Sequence, residues 1–194
     1  MSLKSKEDVD GVLAALGEEL AAMGAAPVDL LVCGGSALQA LCLVHRTTKD
    51  VDVLAVVSGE LLITASPLPA SLLGAAKKVA RNLGLTDDWI NPGPTSALGL
   101  GLPEGVMERA EVRDYGKALT IRFISRYDQI HFKLYAAVDQ GGKHYQDLVA
   151  LKPTAQELEQ AACWSMTHDV SEGYRGEVKR LLIEMGQQGA AERI

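Results

Sequence analysis

The chain has only three cysteines, Cys33, Cys42 and Cys163, with neither close pairing nor the spacing of a zinc site. Reduced, mostly buried thiols are expected, and disulfides or thiolate ligands are not. It also lacks an apolar run long enough to span a bilayer. The Leu-rich stretch after Val53 is broken by Gly59, Glu60, Pro67 and Pro69, and the opening MSLKSKEDVDG has no apolar segment of the kind that directs secretion. A cytoplasmic location with no membrane partner is the expectation. Nor is there an excess of positive charge: the net value is −6. That argues against broad, sequence-independent binding of nucleic acid, whose affinity comes from phosphate neutralisation. No internal repeat or low-complexity segment is visible, and 47% hydrophobic with 23% charged residues are globular proportions. At 194 residues the chain can bury one sizeable core with a small helical appendage.

What is there is concentrated between Leu30 and Val57, LLVCGGSALQALCLVHRTTKDVDVLAVV. Leu30 to Cys33 reads as a buried strand. Gly34 and Gly35 permit a tight turn with close backbone approach, and Ser36 can open a helix whose unpaired N–H groups suit an anion. The next apolar run carries Asp50 and Asp52 in alternate positions, so in a strand both face one way while Val51 and Val53 face the core. Two like charges so placed repel unless a cation lies between them, and hard oxygen ligands suit Mg²⁺, which commonly takes one or two carboxylates plus substrate phosphates. Either feature alone is commonplace; together they suggest nucleotide chemistry.

With Arg46-Thr47-Thr48 leading into Asp50, this run resembles the signature of the nucleotidyltransferase superfamily, a Gly-Gly/Ser turn, a helix, then a strand bearing Asp-x-Asp. Lys133 followed by Asp147-Leu148 resembles the helix lysine and later aspartate of the abortive-infection-type nucleotidyltransferase toxins and their uncharacterised relatives. Trp89-Ile90-Asn91 and the run from Leu151-Lys152-Pro153-Thr154 to Trp164 also resemble segments of those relatives. The resemblance implies that Gly34, Gly35 and Ser36 hold nucleotide phosphates, that Asp50 and Asp52 bind Mg²⁺ (or Mn²⁺), and that Lys133 and Asp147 complete the site, Lys133 acting on phosphate. One departure stands out. Many members of the superfamily carry a third carboxylate on a later strand, and the corresponding run here, Leu119 to Ile124, has Arg122 and no acid. Asp114, Glu111 and Asp128 remain alternatives for it.

The rest of the chain reads as helices around a small mixed sheet, an α/β (α+β) fold. Ser5-x-x-Asp8 resembles a capping box ahead of Val9, Val12, Leu13, Leu16, Leu20 and Met23 at helical spacing. Pro69 starts a helix with Leu72, Leu73, Ala76, Val79, Ala80 and Leu83 on one face, stopped by Gly84. Asp87 to Gly105, rich in Pro and Gly, reads as a long surface loop. Leu119 to Ile124 alternates as a half-exposed strand should. Asp128 is placed to cap a helix over 129–139 with Ile130, Leu134, Ala137 and Val138 buried. Lys133 flanks that stripe beside small neighbours, free to reach a cavity, the alternative being a lysine that snorkels at the surface. Thr154 and Ser171 start two further helices. The expected division is an α/β core over residues 1–152 and a helical part over 153–194. Between Arg109 and Lys143 there are seven basic residues against four acidic, which would form a basic wall suited to a triphosphate. His45, His131 and His168 read as structural, with His144 near Asp147 more open to a role.

Two functions are compatible with these features. One is a metal-dependent transfer of a nucleoside monophosphate from a triphosphate to a hydroxyl on RNA, protein or a small molecule. The other is a lapsed site on the same fold that works by binding a protein partner, as in a toxin–antitoxin-like pair.

Overall fold

The computed structural model describes residues 2–194. It has one mixed six-stranded sheet flanked by helices, with helices at the C-terminal end. The chain divides into two compact units, Met1–Ser125 and Arg126–Ile194. No helix among the described residues is long and apolar enough to cross a membrane.

The first unit begins with α1 (Lys6–Ala22), whose N-cap Ser5 accepts from Asp8 N at 3.2 Å. The return half of the capping box goes to Lys4 N rather than Ser5 N, at 2.8 Å. Val9, Val12, Leu13, Leu16 and Leu20 are buried, whereas Met23 caps the helix and is exposed. β1 (Val28–Cys33) runs straight into α2 (Gly34–Ala40), and β2 (Val51–Ser58) follows. Leu30, Leu31 and Val32 are all fully buried, so both faces of β1 are covered, which suits its apolar run. It is a central strand, antiparallel to β2 and parallel to a later strand, β6 (Leu119–Phe123).

Two short strands lie along the far side of β2. β3 (Leu61–Thr64) pairs antiparallel with its end, and α3 (Ala70–Leu83) leads to β4 (Ile90–Asn91), which pairs parallel with its start. α3 ends at Gly84, at φ +67°, and buries Leu72, Ala76, Val79 and Ala80 while Leu73 and Leu83 stay exposed. The expected long loop over 87–105 is tied down instead. It contains β4 and α4 (Ser96–Leu100), and Trp89 within it is fully buried, its indole N–H donating to Ala76 O at 3.1 Å. The segment lies at the surface as expected except at Trp89, Ile90 and Pro103, with Trp89 as its anchor. After α5 (Val106–Arg109), β5 (Glu111–Asp114) and β6 (Leu119–Phe123) complete the sheet in the order β3-β2-β1-β6-β5. Leu30, Val32, Val51, Val53, Ile121 and Phe123 join the buried faces of α1 and α3 in one apolar cluster. Each fully buried aliphatic there contributes about 1.5–3 kcal/mol.

The second unit is helical: α6 (Arg126–Gln140), α7 (Gly142–Ala150), α8 (Ala155–Met166), α9 (Glu172–Glu184) and α10 (Gln188–Arg193). The compact units meet at 125/126, where α6 begins, the helix against which α7, α8 and α9 pack. Thr154 and Ser171 cap α8 and α9 as expected, Thr154 with a full capping box to Glu157. Asp128 is no cap. α6 starts two residues earlier, and Asp128 is fully buried in its first turn. Arg126 fastens the unit, donating to Leu151 O and Lys152 O at 2.9 Å and pairing with Glu157 at 2.5 Å. His131 and His168 sit in an aromatic cluster with Tyr127, Tyr135 and Trp164, with ring centroids 4.3–5.6 Å apart for the pairs that include a histidine.

Candidate functional site

In the first unit the site is built where β1 meets α2. The backbone turns at Gly34, which has φ +74°, a conformation costly for any residue with a Cβ. The space there is closed as well, because a Cβ on Gly34 would overlap the Asp52 carboxylate at Oδ2. The register of β1 on β2 places Cys33 opposite Asp52, so the turn and the second aspartate press directly on one another. A Cβ on Gly35 would lie 2.8 Å from Thr48 Oγ1 and 3.0 Å from Arg46 Nη2.

Helix α2 begins at Gly34, with Cys33 as an N-cap that makes no side-chain bond. Ser36 therefore does not open the helix; it lies within the first turn. Its Oγ is fully buried and has no hydrogen-bond partner among the described residues. An orphaned buried hydroxyl costs about 1–3 kcal/mol, which a ligand acceptor would recover.

Asp50 immediately precedes β2 and Asp52 lies within it; both are half-buried, while Val51 and Val53 are fully buried, the alternation the sequence implies. Thr48 Oγ1 donates to Asp50 Oδ1 at 3.2 Å, and Thr48 is strapped to Leu3 by two backbone bonds of 2.9 Å. Among the described residues no group of three or more His, Cys, Asp or Glu side chains is arranged to hold a metal. Asp50 and Asp52 suit a hard divalent cation whose remaining ligands come from substrate and water.

Glu111 and Asp114, the alternatives for a third carboxylate in this unit, are engaged elsewhere. Arg122, where a third carboxylate would stand, is bonded in a fork to Asp29 at 2.8–3.0 Å. Glu111 holds Arg113 at 2.6 Å, and Asp114 accepts from Thr120 at 2.7 Å. Arg113 also reaches Asp10 at 3.1 Å and Ala40 O at 2.8 Å. Burial raises the Asp10 carboxyl, but bonds from Lys6 and Tyr115 and the charges of Lys6 and Arg113 outweigh it and hold the group below its usual 3.8. The expected basic wall is thus not an open one. Arg113, Arg122, Arg126 and Lys133 are each ion-paired within their own unit, and Lys117 and Lys143 are exposed. Opposite charges scattered along a sequence pair off wherever the fold lets them.

In the second unit, Lys133 on α6 and Asp147 on α7 come together, Nζ to Oδ2 at 2.8 Å, with side chains only 6% and 2% exposed. Lys133 is not a snorkelling lysine; its ammonium ends on the buried Asp147 carboxylate. One helical turn earlier Gln129 is fully buried, and neither of its amide atoms has a partner among the described residues.

Sequence reasoning named Lys133 and Asp147 for one site but missed that they neutralise each other, which a separation of fourteen positions and a Gly-Gly break conceal. It also gave no role to Arg46 and Thr48 at Gly35, although their position just ahead of Asp-x-Asp was the available signal. A separate cavity of about 180 Å³, lined by Lys4, Lys6, Gln39, Cys42 and His45 among others, includes none of the expected site residues. Compared with known proteins, the chain matches no family model, no curated protein and no solved structure.

Proposed function

We propose that the protein is a Mg²⁺- or Mn²⁺-dependent nucleotidyltransferase that moves a nucleoside monophosphate from a triphosphate to a hydroxyl acceptor and releases pyrophosphate. The observation that carries this reading is the direct packing of the Asp52 carboxylate on Gly34, which joins a candidate phosphate turn to a candidate cation pair. The resemblance of the same residues to the superfamily signature supports it.

In this reading Asp50 and Asp52 hold the divalent cation, which when bound neutralises triphosphate oxygens. Gly34 and Gly35 make room for the Asp52 carboxylate and for Thr48 and Arg46 against the turn that would meet the polyphosphate, and the Ser36 hydroxyl donates to a phosphate oxygen, ending its isolation. Little covalent help is required, since transfer of this kind depends on alignment and charge neutralisation. Lys133 and Asp147 have their role only from the resemblance. For Lys133 to act on phosphate, its pair with Asp147 must open, or Asp147 must serve to hold the ammonium in place. The acceptor is an RNA end, a protein side chain or a small molecule. A cytoplasmic setting fits three thiols that form no disulfide.

The second reading, a lapsed site acting through a protein partner, draws on the Arg122–Asp29 pair where a third acid would stand. Calorimetric titration with Mg²⁺ and each ribonucleoside triphosphate, followed by label transfer from α-labelled triphosphate to total RNA and protein, decides between them. Metal-dependent binding with transfer supports the enzyme; absence of both leaves the binding module.

A further inference from the structure

The arginines of the first unit have destinations, and one lies at the turn itself. Arg81 donates to Lys77 O, Arg109 to Glu104 O, Arg113 to Asp10 and Glu111, and Arg122 to Asp29. Arg46, half-buried, lays Nη2 where a Cβ on Gly35 would come within 3.0 Å of it, while Nη1 donates to Thr47 O at 3.2 Å. Its backbone is held from behind. Gln39 on α2, itself buried, donates Nε2 both to Arg46 O and to Leu3 O, and Leu3 in turn brackets Thr48. The segment carrying Arg46, Thr48 and Asp50 is thereby strapped along the same turn on which Asp52 rests.

We propose that Arg46 is a phosphate-binding residue of the site, and that position 35 is glycine so that this guanidinium can lie beside the turn. The inference rests on the nucleotidyltransferase reading. Its physical basis is charge: two carboxylates and one divalent cation sum to zero, so a triphosphate bound there needs a further cation. A planar guanidinium meets two phosphate oxygens at once, which an ammonium does not. Thr48, the other side chain against Gly35, fixes Asp50 and stays with the cation side of the site.

The test is calorimetric titration of wild type, Arg46→Gln, Arg46→Lys and Gly35→Ala with ATP, inorganic pyrophosphate and adenosine, each with Mg²⁺, alongside thermal melting. The expected result is a loss of ATP and pyrophosphate affinity of about tenfold or more in Arg46→Gln, a smaller loss in Arg46→Lys, and a loss in Gly35→Ala like that in Arg46→Gln. Adenosine binding, if measurable, stays level across the set. Wild-type affinity for ATP and pyrophosphate in both Arg46 variants overturns the inference while leaving the nucleotide reading intact. No binding of either ligand to the wild type overturns that reading instead. Should Arg46→Gln melt early, Arg46→Lys, which keeps charge and stem, decides alone: undiminished affinity there counts against the guanidinium contact.

Discussion

Asp50 and Asp52 are half-buried at the start of a strand, Asp52 against the glycine turn, whereas the acid at Asp147 is sealed with a lysine inside a helical unit. The first arrangement keeps both residues partly exposed to solvent. The second is complete without any ligand, and removing either member leaves the other charged and desolvated. Burial of a named residue is therefore no guide to its role.

Breaking the open arrangement should have the largest effect. Asp50→Asn and Asp52→Asn are each expected to abolish Mg²⁺-dependent triphosphate binding, with melting temperature unchanged or slightly raised because a repelling charge is gone. Titration curves superimposable on wild type in both variants would remove the cation pair from the site.

The sealed pair should respond in the opposite way. Lys133→Ala is expected to cost about 3–5 kcal/mol of stability, read from urea unfolding, while Lys133→Met combined with Asp147→Leu should come close to wild type. A single variant as stable as the double one would mean that the pair is relaxed and hydrated. Triphosphate binding in the double variant then reports on function separately from folding: retained affinity and transfer would confine Lys133 to structure.

Gly34→Ala sharpens the contrast at one atom. The left-handed backbone alone should cost about 1–3 kcal/mol. The added methyl must also displace the Asp52 carboxylate, so metal-dependent binding should fall out of proportion to stability. A variant that melts lower but titrates normally would show that Asp52 moves aside without consequence.

The smallest effect concerns acid. Burial raises the Glu157 carboxyl, but bonds from Arg126 and Thr154 and the Arg126 charge more than offset this and hold it below 4.5, as Asp10 is held below 3.8. A carboxyl lowered by folding stabilises above its unfolded value and loses that contribution as pH falls through the folded one. Melting temperature should thus decline below about pH 4.5, and Glu157→Gln, which costs about 1–2 kcal/mol at neutral pH, should flatten the decline. An unchanged slope in Glu157→Gln and Asp10→Asn would assign the acid sensitivity to other carboxylates.

The central motif was legible because three constraints coincide in it: an unbroken apolar run for a strand covered on both faces, glycines at a turn closed by a carboxylate, and alternation through Asp50 and Asp52. β1, β2 and β6 follow from those patterns. β3, β4 and β5 do not, since strands of two to four residues at the sheet margin carry too few positions for alternation to stand out from a loop. Local signals found the caps at Thr154 and Ser171 but missed the start of α6, where the side chain suited to capping, Asp128, is instead buried. The break between the compact units is hard to see in the sequence for a related reason. Gly141-Gly142 and Pro153 punctuate the chain visibly, whereas the break at 125/126 is set by which helices α6 packs against, a fact of three dimensions.

The chain's two tryptophans are divided between the units. Trp89 is sealed in the apolar cluster of the sheet unit with its N–H on Ala76 O; Trp164, partly exposed, lies against the imidazoles of His131 and His168 in the helical unit. An indole shielded from water emits to the blue, and one beside imidazole is quenched when that ring takes a proton. The protein thus carries a separate optical label in each half. With Trp164→Phe in hand, the emission maximum follows the sheet unit alone; with Trp89→Phe, intensity follows the helical one, so the order in which the two halves lose structure is readable from the native side chains without an added dye.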